Sequence, residues 1–269
     1  MKRISNKKNL INILNNEKSL GFVPTMGGLH SGHKSLIKKS ISQCNKTIVS
    51  IFVNKPQFNK KNDYLSYPRK TKKDISILKK LKVDYLYLPK IKEIYPKGPN
   101  TRIKISNLEY RLCGKNRPKH FRAVVDVIDR FIKLIKPKNI YMGEKDMQQL
   151  EIIKHFFKVN KIKTKVVGCK TVREKNGVAC SSRNFNLSRG DKFIASNIYK
   201  ILKMNKKKMI KNKLYLQKLK KKIIKLGANK IDYLKILNIN NLTGEFKKKK
   251  KYKIFIAYYI KSIRLIDNF

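Results

Sequence analysis

The residues best equipped for chemistry lie close to the start of the chain: His30 and His33, separated by Ser31-Gly32 and preceded by Gly27-Gly28. Imidazole at the mouth of a phosphate-sized concavity donates hydrogen bonds to phosphoryl oxygens and takes up charge as negative charge develops. Two histidines at this spacing also read as a surface pair or as half of a metal site. The metal alternative lacks further ligands, because His120 and His155 stand alone in the sequence. The glycines around the pair favour phosphate. Three more stretches carry side chains suited to a nucleotide and a small polar acid. They are Asn54 to Phe58 with Gln57, Gly143 to Leu150 with Lys145 and Gln149, and Cys180 to Asn184 with two hydroxyls and Arg183. No Ser–His or Cys–His pair has an orienting partner, and there is no Walker-type Gly-Lys-Ser/Thr loop. The chemistry implied is phosphoryl or nucleotidyl transfer by positioning and charge neutralisation, with no covalent enzyme intermediate.

Positioning such groups requires a rigid frame. Leu20 to Val23 is a short apolar run suited to a buried parallel strand, Pro24 to Gly32 a glycine-rich turn, and apolar spacing from about His33 predicts a helix. A strand–turn–helix unit of this kind aims N–H groups and the positive end of a helix dipole at whatever lies above the sheet. Further strands are expected at 47–53, 84–88, 139–142 and 164–172, with an edge strand or hairpin at 101–105. Helices are expected at 10–17, 71–81 and from Phe121 through Ile135, with Gly143 to Asp146 a turn opening another. Strand and helix alternate, which argues a Rossmann-like, doubly wound parallel α/β sheet with helices on both faces. After Arg173 the character shifts to two lysine-rich helices, 188–204 and 213–226, and two strand-like runs, 231–237 and 254–260. The expected division is 1–173, a nucleotide- and acid-binding domain, and 174–269, a smaller α+β domain covering the site.

The 269 residues suffice for one large domain or two modest ones, and 41% hydrophobic content can fill a core. No apolar run approaches the length of a membrane span, and the first residues lack the apolar stretch of a secretion signal. Four cysteines without CxxC spacing read as reduced thiols of a cytoplasmic protein. A net charge of +51 invites a nucleic-acid reading, yet 56 lysines stand against 11 arginines. The chain is also rich in Asn, Ile, Tyr and Phe and lacks Trp, the residue bias of an A/T-rich genome. The excess lysine therefore reads as drift on solvated faces, and the run at 247–251 as a solvated loop. Five arginines (Arg69, Arg117, Arg122, Arg173, Arg183) fall inside the motif-like stretches, where a planar fork is hard to replace.

The motifs occur in an ordered set. Val23-Pro24-Thr25-Met26-Gly27-Gly28-Leu29-His30-Ser31-Gly32-His33 comes first, then Pro56-Gln57-Phe58, Tyr67-Pro68-Arg69 and Lys92-Glu93-Ile94-Tyr95-Pro96. Arg117-Pro118 with His120-Phe121-Arg122, Gly143-Glu144-Lys145-Asp146 with Gln148-Gln149-Leu150, and Ser181-Ser182-Arg183-Asn184 follow. Together they resemble the pantoate–β-alanine ligases of the HxGH nucleotidyltransferase superfamily over nearly the whole chain. The resemblance implies a homodimeric cytoplasmic enzyme that condenses pantoate with β-alanine at the expense of ATP, through a pantoyl adenylate, releasing AMP and pyrophosphate. It implies no dedicated metal cage, magnesium arriving with the ATP phosphates. It also implies roles by position. Met26, Gly27, Gly28, Leu29, His30, Ser31, Gly32 and His33 form the first ATP segment, with His33 the proton donor. Gly143, Glu144, Lys145 and Asp146 bind nucleotide, with Lys145 on phosphate. Val172 borders adenine, and Cys180, Ser181, Ser182 and Arg183 close over the phosphates. Gln57 contacts pantoate and β-alanine, and Gln149 contacts pantoate.

Two departures from the family pattern stand out. Lys119 and Ala123 replace glycines, and the proline of the Asn-Pro-x-Gln-Phe motif is shifted to Pro56, next to Gln57. Two competing readings are weaker. An adenylyltransferase acting on a phosphate or a nicotinic acid nucleotide would share the histidine turn but lack the Gln57–Gln149 pair. A non-enzymatic nucleic-acid binder would use the positive surface, but no base-reading motif is present, so neither nucleic acid nor membrane is an expected partner.

Overall fold

Four strands owe their position to apolar residues on both faces. The computed structural model describes residues 1–211, 214–239, 242 and 251–269. In chain order it begins β1 (Lys2–Ile4), α1 (Lys7–Leu14), β2 (Leu20–Thr25), α2 (Ser31–Gln43), β3 (Lys46–Ile51), α3 (Lys61–Leu65), α4 (Thr71–Lys80) and β4 (Tyr85–Tyr87). Then come α5 (Ile91–Ile94), α6 (Leu112–Asn116), α7 (His120–Ile135), β5 (Asn139–Gly143), α8 (Met147–Val159) and β6 (Lys165–Cys169). The six strands are parallel in the order β1-β4-β3-β2-β5-β6. Neighbouring residues of a strand point to opposite faces. Phe22, Ile48, Tyr87 and Ile140 therefore pack with α1, α7 and α8, whereas Val23, Val49, Leu86 and Tyr141 pack with α2 and α4. This is the expected doubly wound sheet.

Helix α7 anchors one face. Its residues Phe121, Val124, Ile128, Phe131, Ile132 and Ile135 are buried, and Phe131 meets Phe22, Phe52 and Tyr87 at ring separations of 5.5–6.1 Å. In contrast to expectation, 101–105 is not a strand. The preceding loop is instead tied to α7: Asp126 accepts from the Asn100 N–H at 2.8 Å, and Arg130 donates to the Gly98 carbonyl at 3.1 Å. Ile103 alone of this stretch is buried in the core. Strand β1 was not expected, because only Ile4 of its three residues is buried.

The remainder holds α9 (Arg189–Met204), α10 (Lys206–Lys211), α11 (Leu214–Lys225) and an antiparallel sheet of β7 (Lys230–Asn238), β8 (Tyr252–Ile260) and β9 (Ile263–Asn268). Ser188 caps α9 in a capping box with Asp191. Ala195, Ile198, Leu202, Leu219 and Ile223 pack on Leu234, Ile236, Ile254 and Ile256. The other face of this sheet supplies Tyr233, Leu237, Phe255 and Ala257 to the core that contains α7 and α8. Strand β9 was not expected. Of the lysine run at 247–251, residues 247–250 lie outside the described residues.

Candidate active site

Strand β2 connects onward to β3 on one side, and β5 connects to β6 on the other. Where adjacent parallel strands send their connections in opposite directions, a crevice opens above their carboxyl ends. A cleft of about 240 Å³ occupies this place, lined by residues from both strand ends, from α7 and from the segment after β6.

The turn after β2 is built to hold two imidazoles. The Thr25 hydroxyl donates to the Ser50 carbonyl at 2.7 Å and accepts the Gly27 N–H at 3.2 Å. Gly27 and Gly28 have φ of +82° and +62°, the left-handed region that residues with a Cβ avoid. The N–H groups of Gly28 and Leu29 both donate to the buried Asp74 carboxylate, each at 2.8 Å. They are thus held by α4 instead of facing a ligand. Gly27, Gly28, Leu29, Ser31 and Glu144 do not line the cleft, whereas Met26, His30, Gly32 and His33 do.

Helix α2 begins at Ser31 with His30 as its N-cap, two residues before the apolar spacing indicated. The Gly32 N–H donates to His30 Nδ1 at 3.1 Å, and the His30 N–H to His33 Nδ1 at 3.4 Å. Each Nδ1 is therefore a lone pair, which leaves the hydrogen of the neutral ring on Nε2. Burial, the adjacent His33 and the Lys145 ammonium lower the His30 pKa to about 2. Burial and Lys145 lower that of His33 to about 4, against an opposing pull from Asp146. Both rings are neutral Nε2–H donors at pH 7.

Strand β5 delivers Gly143, Lys145 and Asp146 through a 3-10 turn, Glu144–Asp146. In the first turn of α8 two adjacent glutamines part company. Gln148 is buried and bonds the carbonyls of Leu108 and Arg111, whereas Gln149 lines the cleft. Gln57 lies in a 3-10 turn, Lys55–Gln57, whose first positions accept a proline that has no N–H to donate. The shifted Pro56 therefore leaves Gln57 in the cleft. Its amide is oriented by Asn54, which is nearly inaccessible. Asn54 Oδ1 accepts from the Tyr95 hydroxyl at 2.7 Å, and its Nδ2 donates to Gln57 Oε1 at 3.1 Å and to the Ala123 carbonyl at 3.1 Å. Among the described residues Gln57 Nε2 meets only a thioether, Met26 Sδ at 3.0 Å. Phe52, Val124, Val127, Ile128 and Phe131 supply an apolar wall.

After β6 an isolated bridge, Arg173 with Ala179, folds the chain back, and the Cys180 N–H donates to the Val172 carbonyl at 3.0 Å. Val172, Cys180, Ser181, Ser182 and Arg183 all line the cleft. The Ser182 hydroxyl donates to the Gly28 carbonyl at 3.0 Å, fastening this segment to the histidine turn. Burial, then the nearby Glu174, pushes the Cys180 thiol up, away from a reactive thiolate. Arg183 pairs with both oxygens of Asp63 in α3, the shortest contact being 2.8 Å. Among the described residues no three His, Cys, Asp or Glu side chains gather as a metal site, and no helix is long and apolar enough to cross a membrane.

Asp74, Tyr95 and Arg117 were not expected as parts of this site, and Asn54 was expected only as the start of the stretch that carries Gln57. All but Asp74 stood within or beside motif stretches, which was the available signal. Asp74 had none, lying 46 positions from Gly28.

Comparison with known proteins gives one answer. The sequence profile of the pantoate-beta-alanine ligase family matches residues 1–269. The pantothenate synthetase of Francisella philomiragia is 45% identical over 257 residues, 94% of this chain and 90% of that protein. That of Pseudothermotoga lettingae is 38% identical over 272 residues, covering 100% and 97%. Among solved structures, the pantoate-beta-alanine ligase of Francisella tularensis, in complex with Beta-gamma ATP and Beta-alanine, has a TM-score of 0.88 at 42% identity, covering 100% of this chain and 97% of that one. The pantothenate synthetase of Thermus thermophilus reaches 0.91 at 32% identity, covering 100% and 99%.

Proposed function

The chain belongs to the pantoate-beta-alanine ligase family, and we propose that it makes pantothenate in two steps at the cleft above β2 and β5. In the first, a pantoate carboxylate oxygen attacks the α-phosphorus of Mg-ATP, and the bond to pyrophosphate breaks. In the second, the neutral amine of β-alanine attacks the resulting acyl adenylate. The carbon–oxygen bond to AMP breaks and the amine nitrogen loses a proton. AMP is a far better leaving group than the oxide of a carboxylate, so the enzyme's task is to spread phosphate charge and keep water from the adenylate.

One observation carries the reading: two neutral histidines and Lys145 meet at the strand ends, opposite the amides of Gln57 and Gln149 beside an apolar wall. In this reading the Nε2–H groups of His30 and His33 and the Lys145 ammonium hold the phosphates, and His33, protonated once the polyphosphate is bound, gives that proton as charge develops. Magnesium enters on the ATP phosphates. Gly143, Lys145 and Asp146 flank the nucleotide, Val172 borders adenine, and Cys180 to Arg183 close over the phosphate end. Gly27, Gly28, Leu29 and Ser31 act through the backbone that shapes the turn. Gln57 and Gln149 grip pantoate, Gln57 also touches β-alanine, and the apolar wall takes pantoate's methyl groups. The complex of the Francisella tularensis relative with Beta-gamma ATP and Beta-alanine supports ATP and β-alanine as ligands here.

We also read 1–173 as the nucleotide- and pantoate-binding domain and 174–269 as a smaller domain that closes the site, in a homodimer working in the cytoplasm. Pyrophosphate release from Mg-ATP, measured with and without each acid, tests the activity. Sustained release is expected only with both acids, and His33→Ala should abolish it. Release that continues without β-alanine beyond one turnover would refute the ligase reading.

A further inference from the structure

Arg117 precedes α7, and its guanidinium lines the cleft beside Gln57. Nη1 meets His120 Nε2 at 3.0 Å and Nη2 donates to the Gln57 carbonyl at 3.2 Å. His120 Nδ1 lies 2.8 Å from the same carbonyl. A carbonyl only accepts, so Nδ1 carries the hydrogen and Nε2 offers Arg117 a lone pair. His120 is buried and is kept neutral by that burial and by the adjacent Arg117 cation.

Every hydrogen-bond partner of Arg117 is thus neutral, and among the described residues no carboxylate pairs with it; Asp63 acts on it only through space and is already bound by Arg183. Other arginines around the core differ. Arg122 pairs with Glu109, Arg130 with Asp126, Arg173 with Asp267, Arg183 with Asp63 and Arg264 with Asp232. Burial, then the nearby Arg183, lowers the Arg117 pKa only to about 10, so it is charged at neutral pH. A half-buried cation without a directly bonded counter-ion is costly unless a ligand supplies one.

Resting on the ligase reading, we infer that Arg117 anchors the carboxylate of the second acid, the one that never reacts. A pantoate carboxylate must stay nucleophilic and then loses its charge on adenylation, so a fixed guanidinium fork would work against the first step. The β-alanine carboxylate keeps its charge from binding through to product. Gripping it through Arg117's remaining N–H groups fixes how far the amine reaches, and so selects an ω-amino acid by length.

The test compares β-alanine with 3-aminopropan-1-ol, an amine of the same length lacking the carboxylate, as acceptors in wild type, Arg117→Met and Arg117→Lys. Pantoate-dependent ATP–pyrophosphate exchange by wild type comes first, and its absence sinks the ligase reading whatever Arg117 does. In Arg117→Met the KM for β-alanine should rise roughly 10- to 100-fold, the size of a lost charged hydrogen-bond pair. The KM for 3-aminopropan-1-ol and that for pantoate should move little, so discrimination between the two amines collapses. Arg117→Lys, which keeps charge but not the fork, should recover part of the loss, and it serves as the reading if Arg117→Met does not fold. Equal rises for both amines, a rise confined to pantoate, or no rise at all would overturn the assignment.

Discussion

His30 and His33 stack with ring centroids 4.0 Å apart, each accepting a backbone N–H on Nδ1. Both are held neutral in the ligand-free site, so they prefer to be charged only when a polyanion offsets Lys145. Binding of ATP should therefore raise the His33 pKa from about 4 and draw in protons. Calorimetry at one pH in two buffers of different ionisation enthalpy should show net proton uptake, reduced in His33→Gln. Stability has the related sign. The folded value lies below the ordinary 6.5, so the unfolded chain binds more protons between these limits. This contribution is complete above about pH 6.5 and is lost as pH falls toward 4. Thermal melts of the ligand-free protein across that window should fall more steeply for wild type than for His33→Gln.

Lys119, at a position where the resemblance leads to an expectation of glycine, is left-handed at φ +61° as it enters α7. That conformation costs a residue with a Cβ about 1–2 kcal/mol. Glycine relieves it but gives the unfolded chain more freedom, worth roughly 0.5–1 kcal/mol in the other direction. Lys119→Gly should stabilise by about 0.5–1 kcal/mol and raise Tm by roughly 1–4 °C. A fall in Tm would show that the lysine stem has gained packing that outweighs the strain.

The strands that were legible in the sequence are those buried on both faces. Phe22 beside Val23 and Ile48 beside Val49 produce unbroken apolar runs. Edge elements carry too little of that signal: β1 buries Ile4 alone, and in β9 Arg264 and Asp267 interrupt the pattern to make ion pairs. The stretch 101–105 alternates like a strand, yet its neighbours are tied by Asp126 and Arg130, contacts that no local pattern encodes. The histidine turn was legible because its chemistry is local. That the Gly28 and Leu29 N–H groups are taken by Asp74, and that Arg117 bonds the neutral Gln57 carbonyl, depends on residues dozens of positions away.

The pairing of Arg183 with Asp63 sets up a competition. In the proposed function Arg183 closes over phosphate, so ATP must draw the guanidinium from a carboxylate. Both side chains are partly exposed, which limits the pair to about 1 kcal/mol. Asp63→Asn should therefore lower the KM for ATP by roughly two- to fivefold. In an Arg183→Met background the same change should have no effect. A raised KM in the single variant would mean that Asp63 holds Arg183 in its working position.

Gln57 gives the sharpest test of how the substrate acids are read. Tyr95 fixes Asn54, and Asn54 donates to Gln57 Oε1, so the amide presents its NH₂ toward the cleft. That group donates to acids and leaves only a weak thioether contact when they bind. Gln57→Glu keeps the shape and the oxygen facing Asn54 but turns the donor into a negatively charged acceptor. Gln57→Met simply removes the donor. Both should weaken acid binding, and Glu should be the worse by roughly tenfold or more in KM, because it adds repulsion to the loss. Steady-state kinetics over both acids would measure this at neutral pH. If Glu matched or outperformed Met, the oxygen rather than the NH₂ of Gln57 would be the atom facing the substrate, and the orientation imposed through Asn54 would not survive binding.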